Sequence, residues 1–125
     1  MGDFIPLDIK LHRNSGVLEL TYPDSRRFQL PSEYLRVHSP SAEVRGHGPG
    51  QDVLQVGKEQ VTIDAIEPVG HYAIKLCFSD GHDTGIYTWE LLHDLATRRE
   101  ELWSEYLKRL AAAGYTRPNA GTTAE

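Results

Sequence analysis

The residues best suited to chemistry gather at Asp80-Gly81-His82-Asp83, where an imidazole stands between two carboxylates. That combination could work as an acid–base pair or hold a metal ion. The same four residues also suit a hairpin turn, with Asp80-Gly81 supplying the bend and His82 bonding locally. The turn is the simpler reading; a histidine-assisted site including His38 from elsewhere in the chain is the alternative. Ferrous oxygenase chemistry would need two histidines and a carboxylate, commonly with a His-x-Asp/Glu pair. Two residues after His12, His38, His47, His71, His82 and His93 stand Asn14, Pro40, Pro49, Ala73, Thr84 and Leu95, none of them acidic.

Two further stretches invite a chemical reading. Gly46-His47-Gly48-Pro49-Gly50-Gln51 could cradle an anion with its backbone N–H groups, but it lacks the Gly-Lys-Ser/Thr ending of a phosphate loop. A surface loop, of the kind that often carries binding residues, is expected over 45–51. Cys77 is the only cysteine. It excludes an internal disulfide and a thiolate zinc site within one chain, and on a strand it reads as a small packed residue.

These residues need a scaffold, and 125 residues suffice for one domain with a single modest core, expected over 1–118 with a frayed tail at 119–125. Thirteen basic against eighteen acidic side chains give a net charge of −5, which disfavours a nucleic-acid backbone binder. No apolar run reaches the length of a signal peptide or a membrane span, so a cytoplasmic protein is expected.

The alternation of the first third predicts an antiparallel meander. Leu7, Ile9 and Leu11 share one parity, Arg13 to Gly16 turns the chain, and Leu18, Leu20 and Tyr22 share the next face. After a turn at Pro23-Asp24-Ser25, a short strand runs from Arg26 to Leu30. A helix is expected near Ser32–His38, with Ser32 as its cap and Pro40 limiting it. Val61, Ile63 and Ala65 resume the alternation. Tyr72, Ile74, Leu76 and Phe78 form the clearest buried face, with Ala73, Lys75 and Cys77 opposite.

From Thr88 the period becomes helical, giving a short helix over Trp89–Ala96 and a longer one over Arg98–Ala113. Thr97 and Glu100 have the spacing of a capping box, and Gly114 is placed to stop the second helix. Trp89, Trp103 and Tyr106 either close the core or offer an aromatic patch to a partner. The expected fold is α+β, a small twisted antiparallel sheet of about five or six strands covered on one face by the C-terminal helices.

Four segments resemble the gamma-butyrobetaine hydroxylase-like N-terminal domain family: the early strand pair, Leu30-Pro31 with Tyr34-Leu35-Arg36, Ile66 to Ile74, and Phe78 to Tyr87. The match spans roughly residues 7 to 95 and lies in the order and spacing of the segments. The resemblance implies a module that occurs alone in bacteria, or fused to iron- and 2-oxoglutarate-dependent hydroxylases or to iron–sulfur carrier proteins. In the hydroxylases it carries zinc on three cysteines and a histidine. Carried over, the histidine matches His82, whereas the cysteine positions hold Ser39, Ser41 and Val44. Serine hydroxyls are poor zinc ligands and valine is none, so no bound metal or other cofactor is expected.

The resemblance therefore points to a non-catalytic accessory module that binds a protein partner, with no role toward nucleic acid or membrane. A metal-handling protein, using iron or zinc in iron–sulfur or oxygenase systems, is the alternative, and an enzyme centred on His82 and His38 comes last. Arg36, His38, His47 and His82 are the candidate interaction surface. The segment after Arg36 and the turn holding His82 are expected to meet, with the His82 ring within about 12 Å of Ser39–Ser41. Hydrogen bonds from Ser39, Ser41 or Glu43 are expected to replace metal coordination there.

Overall fold

The computed structural model describes residues 4–46, 50 and 52–117. Strands β1 (Asp8–His12), β2 (Val17–Thr21) and β3 (Arg27–Pro31) come first, followed by helices α1 (Ser32–Val37) and α2 (Ala42–Arg45). Strands β4 (Ile63–Val69), β5 (Ala73–Phe78) and β6 (Ile86–Thr88) follow, and helices α3 (Trp89–Thr97) and α4 (Arg99–Ala112) close the fold. The class is α+β. The strands do not form a single sheet of five or six: they split into two three-stranded antiparallel sheets, ordered β1-β2-β3 and β4-β5-β6.

Alternation reports which face of a strand is buried and is silent on which strands share a ladder. Pro31, which has no N–H to offer, ends β3, and the chain turns at once into α1. The two sheets nevertheless share one core. Leu18, Leu20 and Leu30 from the first sheet meet Ile63, Ile74, Leu76, Phe78 and Tyr87 from the second, with Tyr34 and Leu35 of α1 and Leu92 and Leu95 of α3 between them.

Within the first sheet Ile9 faces Leu20 and Leu11 faces Leu18. Leu7 lies before β1 and is 70% exposed, so it does not extend that buried parity. In the second sheet Ile74, Leu76 and Phe78 are buried as their spacing requires, but Tyr72 is 57% exposed. Tyr72 belongs to the β4–β5 turn, where its N–H bonds Val69 and Gly70 adopts φ +55°. Ala73, on the opposite parity, is fully buried as well.

Helix starts differ from the expected caps. Thr88 caps α3, its hydroxyl accepting the Leu91 N–H at 3.1 Å. Thr97 does not cap α4: α3 runs through it, and its hydroxyl donates back to His93 O at 2.9 Å. Arg98 occupies the cap position without a side-chain cap bond. Likewise Ser32 is the first residue inside α1, with Pro31 at the cap position and no side-chain cap bond; the Ser32 hydroxyl donates to Gly16 O at 2.8 Å. That bond ties α1 to the β1–β2 turn. Gly114, at φ +79°, ends α4 as expected. Among the described residues no helix is long and apolar enough to cross a membrane. The tail at 119–125 lies outside the described residues.

Candidate functional site

Two segments meet at one end of the fold. One leaves α1 through His38, Ser39 and Pro40 and enters α2 at Ser41, whose hydroxyl accepts the Glu43 N–H at 3.1 Å. The other is the connection 79–85 between β5 and β6. Gly81 bends it at φ +88° and donates its N–H to Phe78 O, so Asp80-Gly81 does form a tight turn. It is not a two-residue hairpin, because the ladder begins only at Lys75↔Ile86 and the intervening residues fold back toward Ser39.

His82 stands at the junction. Its Nδ1 lies 2.9 Å from Glu43 Oε1 and its Nε2 lies 2.8 Å from Ser39 Oγ. An ionised carboxylate only accepts, so Nδ1 carries the proton and Nε2 accepts the Ser39 hydroxyl. Ser39 Oγ in turn accepts the Ser41 N–H at 3.2 Å. Every partner is thereby satisfied by a single tautomer. The neighbouring Ser41 and Thr84 hydroxyls meet at 2.6 Å. The Ser39–Ser41 segment and His82 thus converge within hydrogen-bonding distance, through the groups expected to replace coordination. His82 makes both kinds of contact expected of it: its backbone N–H bonds Asp80 within the turn, and its ring bonds Ser39 and Glu43 across the fold.

A charged layer backs this relay. Asp80 accepts Arg36 Nε at 2.9 Å, Lys58 Nζ at 2.7 Å and the His82 N–H at 3.2 Å. Burial by itself would raise the Asp80 carboxyl, but Lys58, the His82 N–H and Arg36 outweigh it and hold it at about 2. His82 is pushed down, first by burial and then by the Arg36 charge, against the opposing pull of Glu43 and Asp80. Gly85 seals the relay from the far side: a Cβ there would stand 2.4 Å from Ser39 Oγ and 3.2 Å from the Tyr87 ring. Tyr87 is itself anchored, its hydroxyl donating to Leu35 O at 2.6 Å.

Arg36 and His82 are each only 6% exposed, so neither lies free at the surface as the candidate interaction set requires. They frame the site from within. His38 donates Nδ1–H to Tyr34 O at 2.9 Å and packs between the Tyr34 and Tyr106 rings; burial lowers its pKa. It does not join the His82 relay. His47 lies outside the described residues. Among the described residues no group of three or more His, Cys, Asp or Glu side chains is arranged to hold a metal ion. Val44, at the third cysteine position, is buried.

Ser39, His82 and Glu43 have the connectivity of a nucleophile, a base and an orienting carboxylate. Ser39 is fully buried, however, and the Gly85 backbone lies against its hydroxyl. The arrangement locks two loops together.

Beside the relay, Val44 passes into a groove of about 160 Å³, floored by Val37, Leu54 and Tyr106 and rimmed by Arg45, Glu105 and the Arg109–Asp52 ion pair. The irregular segment 52–56 forms one bank, held by Val53 N–H to Val44 O at 2.7 Å and by the Tyr106 hydroxyl to Gln55 O at 2.6 Å. Its Val53 and Val56 are 54% and 45% exposed. This segment was not legible in the sequence, because two isolated valines in a loop carry no periodic signal. Thr84, Gly85 and Lys58 were also missed. Only the glycine carried a hint, since a small residue just before a strand marks a close approach.

The family profile described as gamma-butyrobetaine hydroxylase-like, N-terminal, matches residues 9–93. The chain belongs to this family. Two proteins with solution NMR structures are similar to it: one at 53% identity and TM-score 0.79, covering 90% of this chain and 89% of its own, the other at 50% and 0.75, covering 90% and 86%. A third family relative, from Acidithiobacillus ferrooxidans ATCC 23270, is a crystal structure of a protein with unknown function assigned to the DUF971 family. It is 40% identical with TM-score 0.64, covering 77% of this chain and 97% of its own. No curated protein matches.

Proposed function

We propose that this family member is a non-catalytic accessory module that binds a protein partner through the groove between α2, segment 52–56 and α4. The observation that carries this is the pairing of a relay whose His82 and Ser39 are buried and mutually hydrogen-bonded with a groove beside it that has an apolar floor and a charged rim. The relay holds α2, and α2 supplies one wall of the groove. A groove of about 160 Å³ is small beside the ~300–1,000 Å³ typical of small-molecule sites. It fits one apolar side chain of a partner, with the exposed Val53 and Val56 extending the contact and the charged rim orienting it.

The test is capture by the immobilised chain, comparing wild type with Val53→Asp, Val56→Asp and the distant Lys75→Ala. A discrete protein retained by wild type and Lys75→Ala, and reduced at least about tenfold by either aspartate, is the expected result. Equal retention by all four would refute the docking surface. A fluorophosphonate probe should leave Ser39 unlabelled; stoichiometric labelling would replace this reading with a hydrolase.

A further inference from the structure

The segment following α4 lays an arginine against an aromatic ring and a buried carboxylate. Tyr115 fixes the approach, donating its N–H to Leu110 O and its hydroxyl to Glu59 Oε2 at 2.8 Å. The Arg117 guanidinium carbon then lies 5.3 Å from the centroid of the Trp103 ring, and Nη2 donates to Glu33 Oε1. Trp103 is held from behind by Tyr34 and Tyr106, with ring centroids at 6.2 and 5.1 Å. An aromatic face beside a carboxylate is the chemistry that recognises a planar cation.

The occupancy is incomplete. A guanidinium and a carboxylate can make two parallel hydrogen bonds. Here Glu33 Oε2 and Arg117 Nε are both buried, and neither has a partner among the described residues. A buried acceptor left unmatched is costly. The Glu33 side chain is only 11% exposed, so water cannot readily take up the vacant oxygen. A hollow of about 280 Å³, lined by Glu33, Glu59, Ser32 and Gln60, opens beside this pair.

We propose that Trp103 and Glu33 form a guanidinium-binding site, occupied in this chain by its own Arg117 and opened when an arginine side chain from a protein partner displaces it. This deepens the protein-binding reading and rests on it for the source of the incoming arginine. Arginine is favoured over lysine because its planar fork can stack on Trp103 while bonding both oxygens of Glu33. Arg117 competes from within the chain, at an effective concentration on the millimolar scale, and so sets the threshold a partner must exceed.

The experiment follows the indole N–H signals of the full chain by NMR during titration with N-acetyl-L-arginine amide, with the uncharged citrulline analogue as control. Trp89, whose indole donates to His71 O, reports whether the fold is intact. In Arg117→Ala the Trp103 signal should shift saturably, with at least tenfold tighter binding than wild type, while Trp89 stays still. Arg117→Lys should bind the probe with intermediate affinity, and Glu33→Gln in the Arg117→Ala background should lose it. A Trp103 signal unmoved in Arg117→Ala overturns the proposal, as does an equal response to citrulline or binding that survives Glu33→Gln. If Glu33→Gln disturbs the Trp89 signal, the arginine–citrulline contrast in Arg117→Ala decides alone. Arginine binding without any groove-dependent partner would keep the site and remove its protein-borne ligand; a captured partner with no arginine binding would remove the site alone.

Discussion

At the scale of single residues, His82 is the group on which most of this end of the molecule depends. It links α2 through Glu43 and the α1–α2 segment through Ser39, and the neutral ring with its proton on Nδ1 satisfies both. Protonation would turn Nε2 into a donor and strand the Ser39 hydrogen in a buried place. The folded pKa lies below the ordinary value of 6.5, so the stability this ring contributes is fully present above about 6.5 and is lost as pH falls toward the folded value. His38, also lowered, adds to the same slope. The melting temperature should therefore fall from pH 7.5 to pH 5, and His82→Asn should flatten that slope while lowering stability at pH 7.5. A steeper slope in the variant would contradict the assignment. The sequence identified His82 and its meeting with Ser39, Ser41 and Glu43, because the family pattern places these segments together. It could not reveal that Arg36 and His82 face inward, since a polar residue at the end of an element carries no mark of its burial.

At the scale of elements, β5 is the central strand of the second sheet, flanked by β4 and β6. Leu76 is fully buried at its middle, while Lys75 points outward and pairs with Glu67 at 3.2 Å. Leu76→Ala should cost about 2–5 kcal/mol in chemical denaturation. Lys75→Ala should stay within about 0.5 kcal/mol of wild type, as surface changes do; the reverse order would mean the register is wrong. Strand parity was legible for Ile74, Leu76 and Phe78 because one continuous face is buried. It failed at Tyr72 and Leu7, which sit just beyond strand ends and are exposed although each still shares a backbone hydrogen bond with the neighbouring strand side. The two helix caps failed as well. Ser32 and Thr97 have the right chemistry for a cap, but tertiary bonding drew Ser32 to Gly16, and the continuation of α3 turned Thr97 back on its own helix.

At the scale of the whole molecule, the family module keeps two sheets around one core and holds its loop end with hydrogen bonds. Serine, serine, valine and histidine stand where the related hydroxylases are expected to hold zinc, and this donor set suits a hydrogen-bonded relay far better than a metal. Arg36, Asp80 and Lys58 stiffen that end, α2 rides on it, and the groove next to α2 is left open. A folding contribution from metal would appear as sensitivity to chelator; none is expected here. The number of sheets could not be foreseen, because pairing between strands depends on where the chain goes after Pro31 and no local pattern records that.

The most direct measurement of the central claim is the protonation pattern of the His82 ring by long-range nitrogen–proton NMR at neutral pH, on protein whose metal content is determined in the same sample. The relay predicts a proton on Nδ1, an unprotonated Nε2 hydrogen-bonded to Ser39, no stoichiometric zinc or iron, and a spectrum unchanged by chelator. A proton on Nε2, or about one metal ion per chain whose removal shifts the His82 nitrogens, would contradict it.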